Sequence, residues 1–170
     1  MKLERWHLTW SPQLGLPAAS DRLTFSSVGP EDDVLLLDLL RRILHGTLDT
    51  YGREAVSAQG VDQTAKLDLE YLRSFPAPRE WWRVGRDRSG APVGVVFPTR
   101  NYEHAIIAYL GVVPEHRGNG YALDLLLEST RILAAVGAEE VHADTGVGNI
   151  PMVNAFRAAG YRFSGHLVLA

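Results

Sequence analysis

Six consecutive residues, Arg117-Gly118-Asn119-Gly120-Tyr121-Ala122, sit where an apolar run from Ala105 to Val113 gives way to a long helical pattern. A strand entering a helix through such a turn aims several free backbone N–H groups at one point, and the positive end of the helix dipole adds to their pull on an anion. Glycine suits the turn because it has no Cβ to hold a phosphate away from the backbone and because it tolerates φ > 0. Arg117 would supply a permanent positive charge at the rim. By themselves these residues read either as a pyrophosphate cradle or as an ordinary strand-to-helix turn with a solvated arginine.

The elements that must position the turn follow from periodicity and from helix and strand breakers. Asp21 to Val28 reads as a strand, after which Gly29-Pro30-Glu31-Asp32-Asp33 supplies a proline and acids that open helices. A helix from Glu31 to Leu44 carries Val34, Leu37, Leu40, Ile43 and Leu44 at helical spacing. Gly46 to Gly60 is polar and mixed, and a second helix covers Gln63 to Arg73 before Phe75-Pro76-Ala77-Pro78 ends it. Trp81 to Arg86 and Pro92 to Phe97 bracket Asp87-Arg88-Ser89-Gly90 as a hairpin. Ala105 to Val113 is the next strand. Ala122, Leu125, Leu126, Leu133 and Val136 then stripe a helix that Gly137 closes. Glu140 to Asp144, a short helix after Asn149, and Arg162 to Leu169 complete a mixed α/β order. Residues 1–18 lie outside it as an N-terminal extension, where Trp6, Leu8 and Trp10 alternate like an edge strand.

At 170 residues the chain has the length of one domain and can bury a core without disulfides. It contains no cysteine, so it has no thiolate metal site and no cysteine nucleophile, and no metal is expected. A formal charge of −3 with scattered basic residues argues against nucleic acid as a partner. No apolar run approaches the roughly 20 residues of a membrane span, and the N-terminus lacks the apolar core of a signal peptide. A soluble cytoplasmic protein is expected, with no membrane partner.

Arg117, Gly120 and Ala122 resemble, in order and spacing, the Arg/Gln-x-x-Gly-x-Gly/Ala signature of the GCN5-related N-acetyltransferase (GNAT) superfamily. Tyr109 to His116 looks like the strand and loop that precede this signature. Asn149 to Tyr161 resembles the later segment, in which an asparagine at a strand end leads into a short helix and a closing Gly-aromatic pair. The resemblance is close over residues 104–163 and implies an α/β GNAT fold: a mixed central sheet of about six to seven strands flanked by about four helices. The family usually closes with two strands beyond the position of Tyr161. Here the second would be short, missing, or supplied by a partner chain in a homodimer.

The resemblance further implies transfer of an acetyl group from acetyl-CoA, the cosubstrate, to an amine. Arg117, Gly118, Asn119, Gly120, Tyr121 and Ala122 would hold the diphosphate. Leu110, Gly111, Val112 and Val113 would form the cofactor-binding strand end, with backbone groups of Leu110 and Val112 pairing with the pantetheine arm as an added strand does and an oxyanion donor expected in Leu110 to Val112. Asn149 and Phe156 fall where the family contacts the cofactor. The catalytic base would be His104 or the neighbouring Glu103, since the family often places a glutamate there and a neutral imidazole can also accept a proton. Only one of the two should face the site if both lie on a strand.

Phe156 stands where many members carry a tyrosine that protonates the leaving thiolate, and phenylalanine cannot do so. Water, Tyr161 or Tyr121 would then substitute. Trp81 and Trp82 read as packing residues. The acceptor segments, His45 to Lys66 and Phe97 to His104, contain Asp49, Tyr51, Glu54 and Asp62, consistent with a small-molecule amine. The expected activity is N-acetyl transfer by direct attack in a ternary complex. A non-catalytic acyl-CoA-binding or sensor domain is the alternative. A nucleotide-binding loop is disfavoured because Gly-x-x-x-x-Gly-Lys-Ser/Thr is absent.

Overall fold

The computed structural model describes residues 2–169, in the order β1 (Leu3–Trp10), β2 (Thr24–Ser27), α1 (Asp33–Leu44), α2 (Thr50–Gln59), α3 (Val61–Arg73), β3 (Arg83–Arg86), β4 (Pro92–Arg100), β5 (Ala105–Val112), α4 (Tyr121–Ala135), β6 (Val141–Gly146), α5 (Ile150–Ala158) and β7 (Arg162–Leu169). The strands form one seven-stranded mixed sheet in the order β2-β3-β4-β5-β6-β1-β7, in which only β5 and β6 are parallel neighbours. This is the α/β GNAT architecture that the resemblance implied, with five α-helices instead of about four. No helix among the described residues is long and apolar enough to cross a membrane.

Each face of the sheet buries a separate apolar cluster. On one, Leu125, Leu126 and Leu133 of α4 and Phe156 of α5 pack against Leu8, Trp10, Val93, Val96 and Ile107. On the other, Leu36, Leu39, Leu40, Ile43 and Leu44 of α1 and Leu69 and Leu72 of α3 pack against Val84, Val95 and Phe97. The buried stripe of α1 therefore differs from the one read in the sequence, and Val34 is exposed. Trp82 meets Phe97 edge to face at 4.8 Å, while Trp81 packs against the α4-side cluster.

Two elements depart from the sequence reading. The polar segment before Gly60 folds as α2, because Asp49 Oδ2 accepts the Gly52 N–H at 3.0 Å and caps it. Gly60, at φ +84°, then separates α2 from α3. The N-terminal strand is internal instead of an edge. β1 pairs antiparallel with β6 on one side and with β7 on the other. Trp6, Leu8 and Trp10 alternate because they face the α4-side cluster. The slot beside β6 is thus filled by this chain's own N-terminal segment, and β7 becomes the exposed edge.

Candidate functional site

β5 and β6 pair only at Ala105↔Val141 and Ile106↔His142. Beyond that point, among the described residues, β5 has a strand partner on its β4 edge alone. Val113 N–H donates to Val93 O of β4 at 2.9 Å. By the alternation of a strand, the N–H and C=O groups of Leu110 and Val112 then point to the opposite edge, towards the gap between β5 and β6. The pairing of β4 with β5 skips one residue between Phe97↔Tyr109 and Pro98↔Ile107, leaving Ala108 as a bulge. Ala108 and Tyr109 accordingly both pack on the α1 side, while Ile107 and Leu110 pack on the α4 side. The bulge lies just before Leu110 to Val112, the stretch expected to hold an oxyanion donor. Gly111 is required by close approach, since a Cβ there would come within 2.4 Å of Ile43 Cγ2.

The free edge of β5 leads into the glycine turn. Gly118 and Gly120 adopt φ of +83° and +76°, values that L side chains rarely take, and Gly120 caps the N-terminus of α4. Tyr121 and Ala122 begin α4, and their N–H groups have no partner within the helix.

Arg117 does more than mark the rim. Its Nε donates to Val112 O at 3.1 Å, Nη1 to His45 O at 2.8 Å and Nη2 to Ile43 O at 2.7 Å. It ties the end of β5 to the last carbonyls of α1, where a cation is favoured by the helix dipole. Burial pushes its pKa down, with Tyr109 opposing. A second arginine, Arg22, reaches the turn from the loop before β2. Its Nη1 donates to Asn119 O at 2.7 Å, its guanidinium pairs with Asp124, and it lies 4.9 Å over the Tyr121 ring. The hydrogen bond that Arg22 donates to the Asp124 carboxylate raises the pKa of Arg22, against the opposing effect of burial.

Beside β5 on the α1 side lies a group of polar residues drawn from four elements. The Tyr109 phenol is held far above its usual pKa by burial first and then by the charges of Asp68 and Asp49. Asp68 of α3 is pushed up to about 6, chiefly by burial and further by Asp49. Asp49 is anchored by Arg5 of β1, whose Nη1 donates to Asp49 Oδ1 at 2.9 Å, and it lies against Gly146 at the end of β6.

His104 and Glu103 precede β5, at the opposite end from the glycine turn. Both N–H groups donate to Asn101 Oδ1, at 2.7 and 2.9 Å respectively. Both side chains are exposed, and the His104 ring stacks on His142 with centroids 3.8 Å apart. Asn149 is half-buried at the start of α5, and its side chain makes no capping bond. Phe156 is buried in the α4-side core, edge to face with Tyr161 at 5.1 Å. The Tyr161 hydroxyl is buried too and bonded to Thr130 Oγ1 at 2.6 Å, which removes it from the surface where a thiolate would leave. Tyr121 is partly buried and His116 lies beside it, with ring centroids 6.2 Å apart.

The Acetyltransferase (GNAT) family profile matches residues 46–161. The chain belongs to the GNAT acetyltransferase family. Solved GNAT structures share its fold. One is a GCN5-related N-acetyltransferase from Sphaerobacter thermophilus, 19% identical with a TM-score of 0.70, which covers 98% of this chain and 50% of its own. A GNAT-family acetyltransferase from Colwellia psychrerythraea is 14% identical with a TM-score of 0.67, over 99% of this chain and 55% of its own. A spermidine N-acetyltransferase chimera from Vibrio cholerae is 19% identical with a TM-score of 0.61, over 86% and 84%. The chain thus spans about half the length of the first two structures. No curated protein matches it in sequence.

Arg22, Asp68 and Tyr109 carry no site role in the sequence reading, and Asp49 enters it only as one polar residue of an acceptor segment. Asp68 left a signal, because it follows Thr64 and Ala65 and precedes Leu72 at helical spacing, placing an acid on the inner face of α3. Asp49 would have emerged as the cap of α2 had that helix been recognised. Arg22 left none, being far from the turn in sequence and joined to it only by the fold.

Proposed function

We propose that this GNAT protein is a single N-acyltransferase domain that moves the acetyl group of acetyl-CoA to a primary amine of a small molecule in a ternary complex. The observation that carries this reading is the free edge of β5, running from the bulge at Ala108 into the glycine turn. An extended chain of amides can pair with Leu110 and Val112 while its diphosphate meets the N–H groups of Gly118 to Ala122. Asn119, Asn149 and Tyr121 would line the same path and Arg22 would add a cation to it, while Gly111 and Val113, which face β4 and are buried, would only shape the strand. Phe156 would support this path from the core beneath.

The acceptor approaches from the α1 side, where Asp49 and Asp68 attract a cationic amine. An alkylammonium has no lone pair until it loses a proton, and Asp68 at about 6 is mostly ionised at pH 7 and can take it. The amine nitrogen then attacks the thioester carbonyl, the C–S bond breaks, and the thiolate leaves with water as its proton source. Phe156 offers no acid. A thiolate whose conjugate acid has a pKa of about 8.5 leaves without one. His104 and Glu103 remain the competing bases, at the far end of β5. A cysteine-free chain accords with the cytoplasm, and the open β7 edge is the surface through which a homodimer would form.

Phe156 also favours a second reading, a non-catalytic acyl-CoA-binding domain. Calorimetric titration of acetyl-CoA into the wild type, with Gly120→Glu and ATP as controls, tests the cosubstrate. Release of free thiol with a panel of small amines then separates the readings. Tight binding without turnover selects the sensor, and no binding sinks both.

A further inference from the structure

Away from the glycine turn, the β6 and β1 strands carry a line of ionisable side chains on the face that α4 does not cover. His142 Nε2 lies 2.9 Å from Glu140 Oε2, and His142 Nδ1 lies 2.9 Å from His7 Nε2. His7 Nδ1 lies 2.5 Å from Asp144 Oδ1. Each of these three contacts needs one hydrogen. Two ionised carboxylates bring none, and two neutral imidazoles bring one apiece. With a single hydrogen on each imidazole the chain Glu140–His142–His7–Asp144 is one hydrogen short, a place that a second proton on one imidazole or a metal cation fills.

We propose that His104, Glu140 and His142 bind a transition-metal dication of the zinc class, with His7 and Asp144 as positioning residues behind them. A metal on His142 Nε2 and Glu140 takes the place of the missing proton. His142 Nδ1–H then donates to His7 Nε2, and His7 Nδ1–H donates to Asp144. This is the arrangement by which a ligating histidine is held in one tautomer and orientation. The charges agree as well, since two carboxylates face one dication. The ligand atoms of His104, Glu140 and His142 lie within 4.8 Å of one another. Two ligands at about 2.0–2.2 Å from a zinc ion are at most about 4.4 Å apart. The exposed side chains of His104 and Glu140 can close that difference, His104 by swinging from its stacked position over His142. Two imidazoles and a carboxylate suit zinc, nickel or copper and leave a position open to solvent.

Bound there, the ion would join β5 to β6 and, through His7, to the N-terminal strand. The sequence points to no metal because Glu140-Val141-His142 alone is a two-ligand spacing, and its partners His104 and His7 lie far away on other strands or their flanks.

The test is competition for Zn²⁺ between a chelating dye and the metal-stripped full chain, without acetyl-CoA, so that it is independent of the acetyl-transfer reading. One ion should bind per chain with a Kd of about micromolar or tighter, and His142→Gln should weaken it about a hundredfold. Glu140→Gln should weaken it at least tenfold, and His166→Gln on β7 should not. His7→Phe should cost about 10–100-fold, whereas His7→Gln, whose amide oxygen can accept from His142 Nδ1–H, should recover most of that loss. Co²⁺ bound in place of zinc should give the intense visible absorption of a four-coordinate site, weakened in His7→Phe. Metal-free circular dichroism checks each variant's fold. If His142→Gln does not fold, the exposed Glu140→Gln carries the test. Wild-type affinity weaker than millimolar, or wild-type affinity in Glu140→Gln, overturns the proposal.

Discussion

The two ends of β5 are built on different plans. At its C-terminal end the strand runs into a turn whose proposed working groups are backbone N–H groups, with two glycines of positive φ within it. At its N-terminal end the proposed working groups are side chains: His104 stacks on His142 of the neighbouring strand, Glu140 lies just before that strand, and His142 meets His7 from the far end of the sequence. A backbone site must be contiguous, because consecutive amides form it. A side-chain site needs only strands that lie side by side. The first therefore tolerates no bulk at one or two positions, whereas the second depends on the identity of each ligating side chain and tolerates replacement only of a residue, such as His7, that holds a ligand in place.

The strongest way to break the backbone end is Gly120→Glu. It places a side chain at φ +76°, with its Cβ 3.5 Å from Arg22 Nη2, and adds a negative charge where a diphosphate would lie. Acetyl-CoA affinity should fall on the order of a thousandfold, about 4 kcal/mol. Calorimetry checks this, and unchanged affinity would remove the phosphate assignment.

The proton acceptor is the next point of contrast, because Asp68 and His104 represent the middle and the far end of the strand. Asp68→Asn should lower turnover about a hundredfold and abolish the acid limb of the pH profile near 6. His104→Ala should leave that limb in place; if it is His104→Ala that abolishes the limb, the far end supplies the base. Asp68 also makes a stability prediction of opposite sign. Its folded-state pKa of about 6 exceeds the ordinary 3.8, so the folded state binds more protons between those values. The ionised carboxylate destabilises the fold above pH 6, and that penalty disappears as pH falls towards 4. Asp68→Asn should therefore be about 1–2 kcal/mol more stable than the wild type at pH 8, after allowance for partial exposure, and equal to it at pH 4. Urea unfolding at the two pH values measures the difference.

Arg117→Gln should act on both binding and folding. It removes three charge-assisted bonds to Val112, His45 and Ile43 carbonyls, which hold α1 against the end of β5. A loss of about 2 kcal/mol in urea unfolding is expected. A variant that unfolds like the wild type but binds acetyl-CoA poorly would show that the guanidinium serves the anion alone.

The same contrast explains what was legible in the sequence. The glycine turn, the strand before it and the helix after it were readable because their signals are local: an apolar run, two glycines and a helical stripe. β7 was read with its exact limits. α2 was not, because its residues are polar and its start depends on one capping aspartate. The place of β1 was also hidden. Its alternation showed a strand with one buried face, but pairing on both edges involves β6 and β7, more than a hundred residues away. Arg22, His7 and His142 were invisible for the same reason. Each gains its partners only when distant strands or loops come together.

The smallest effect should come from Phe156→Tyr, which tests whether α5 can restore the acid that the resemblance lacked. Phe156 is 3% exposed, and its ring lies edge to face with Tyr161, whose hydroxyl already uses Thr130. An added hydroxyl would enter the core without an evident partner, so stability should fall by about 1 kcal/mol with no gain in rate. A faster variant of unchanged stability would mean that the new phenol reaches the gap between β5 and β6, and that protonation of the thiolate limits the reaction. In that case the contrast between the two ends of β5 would be incomplete, because a core position on α5 would also govern the chemistry.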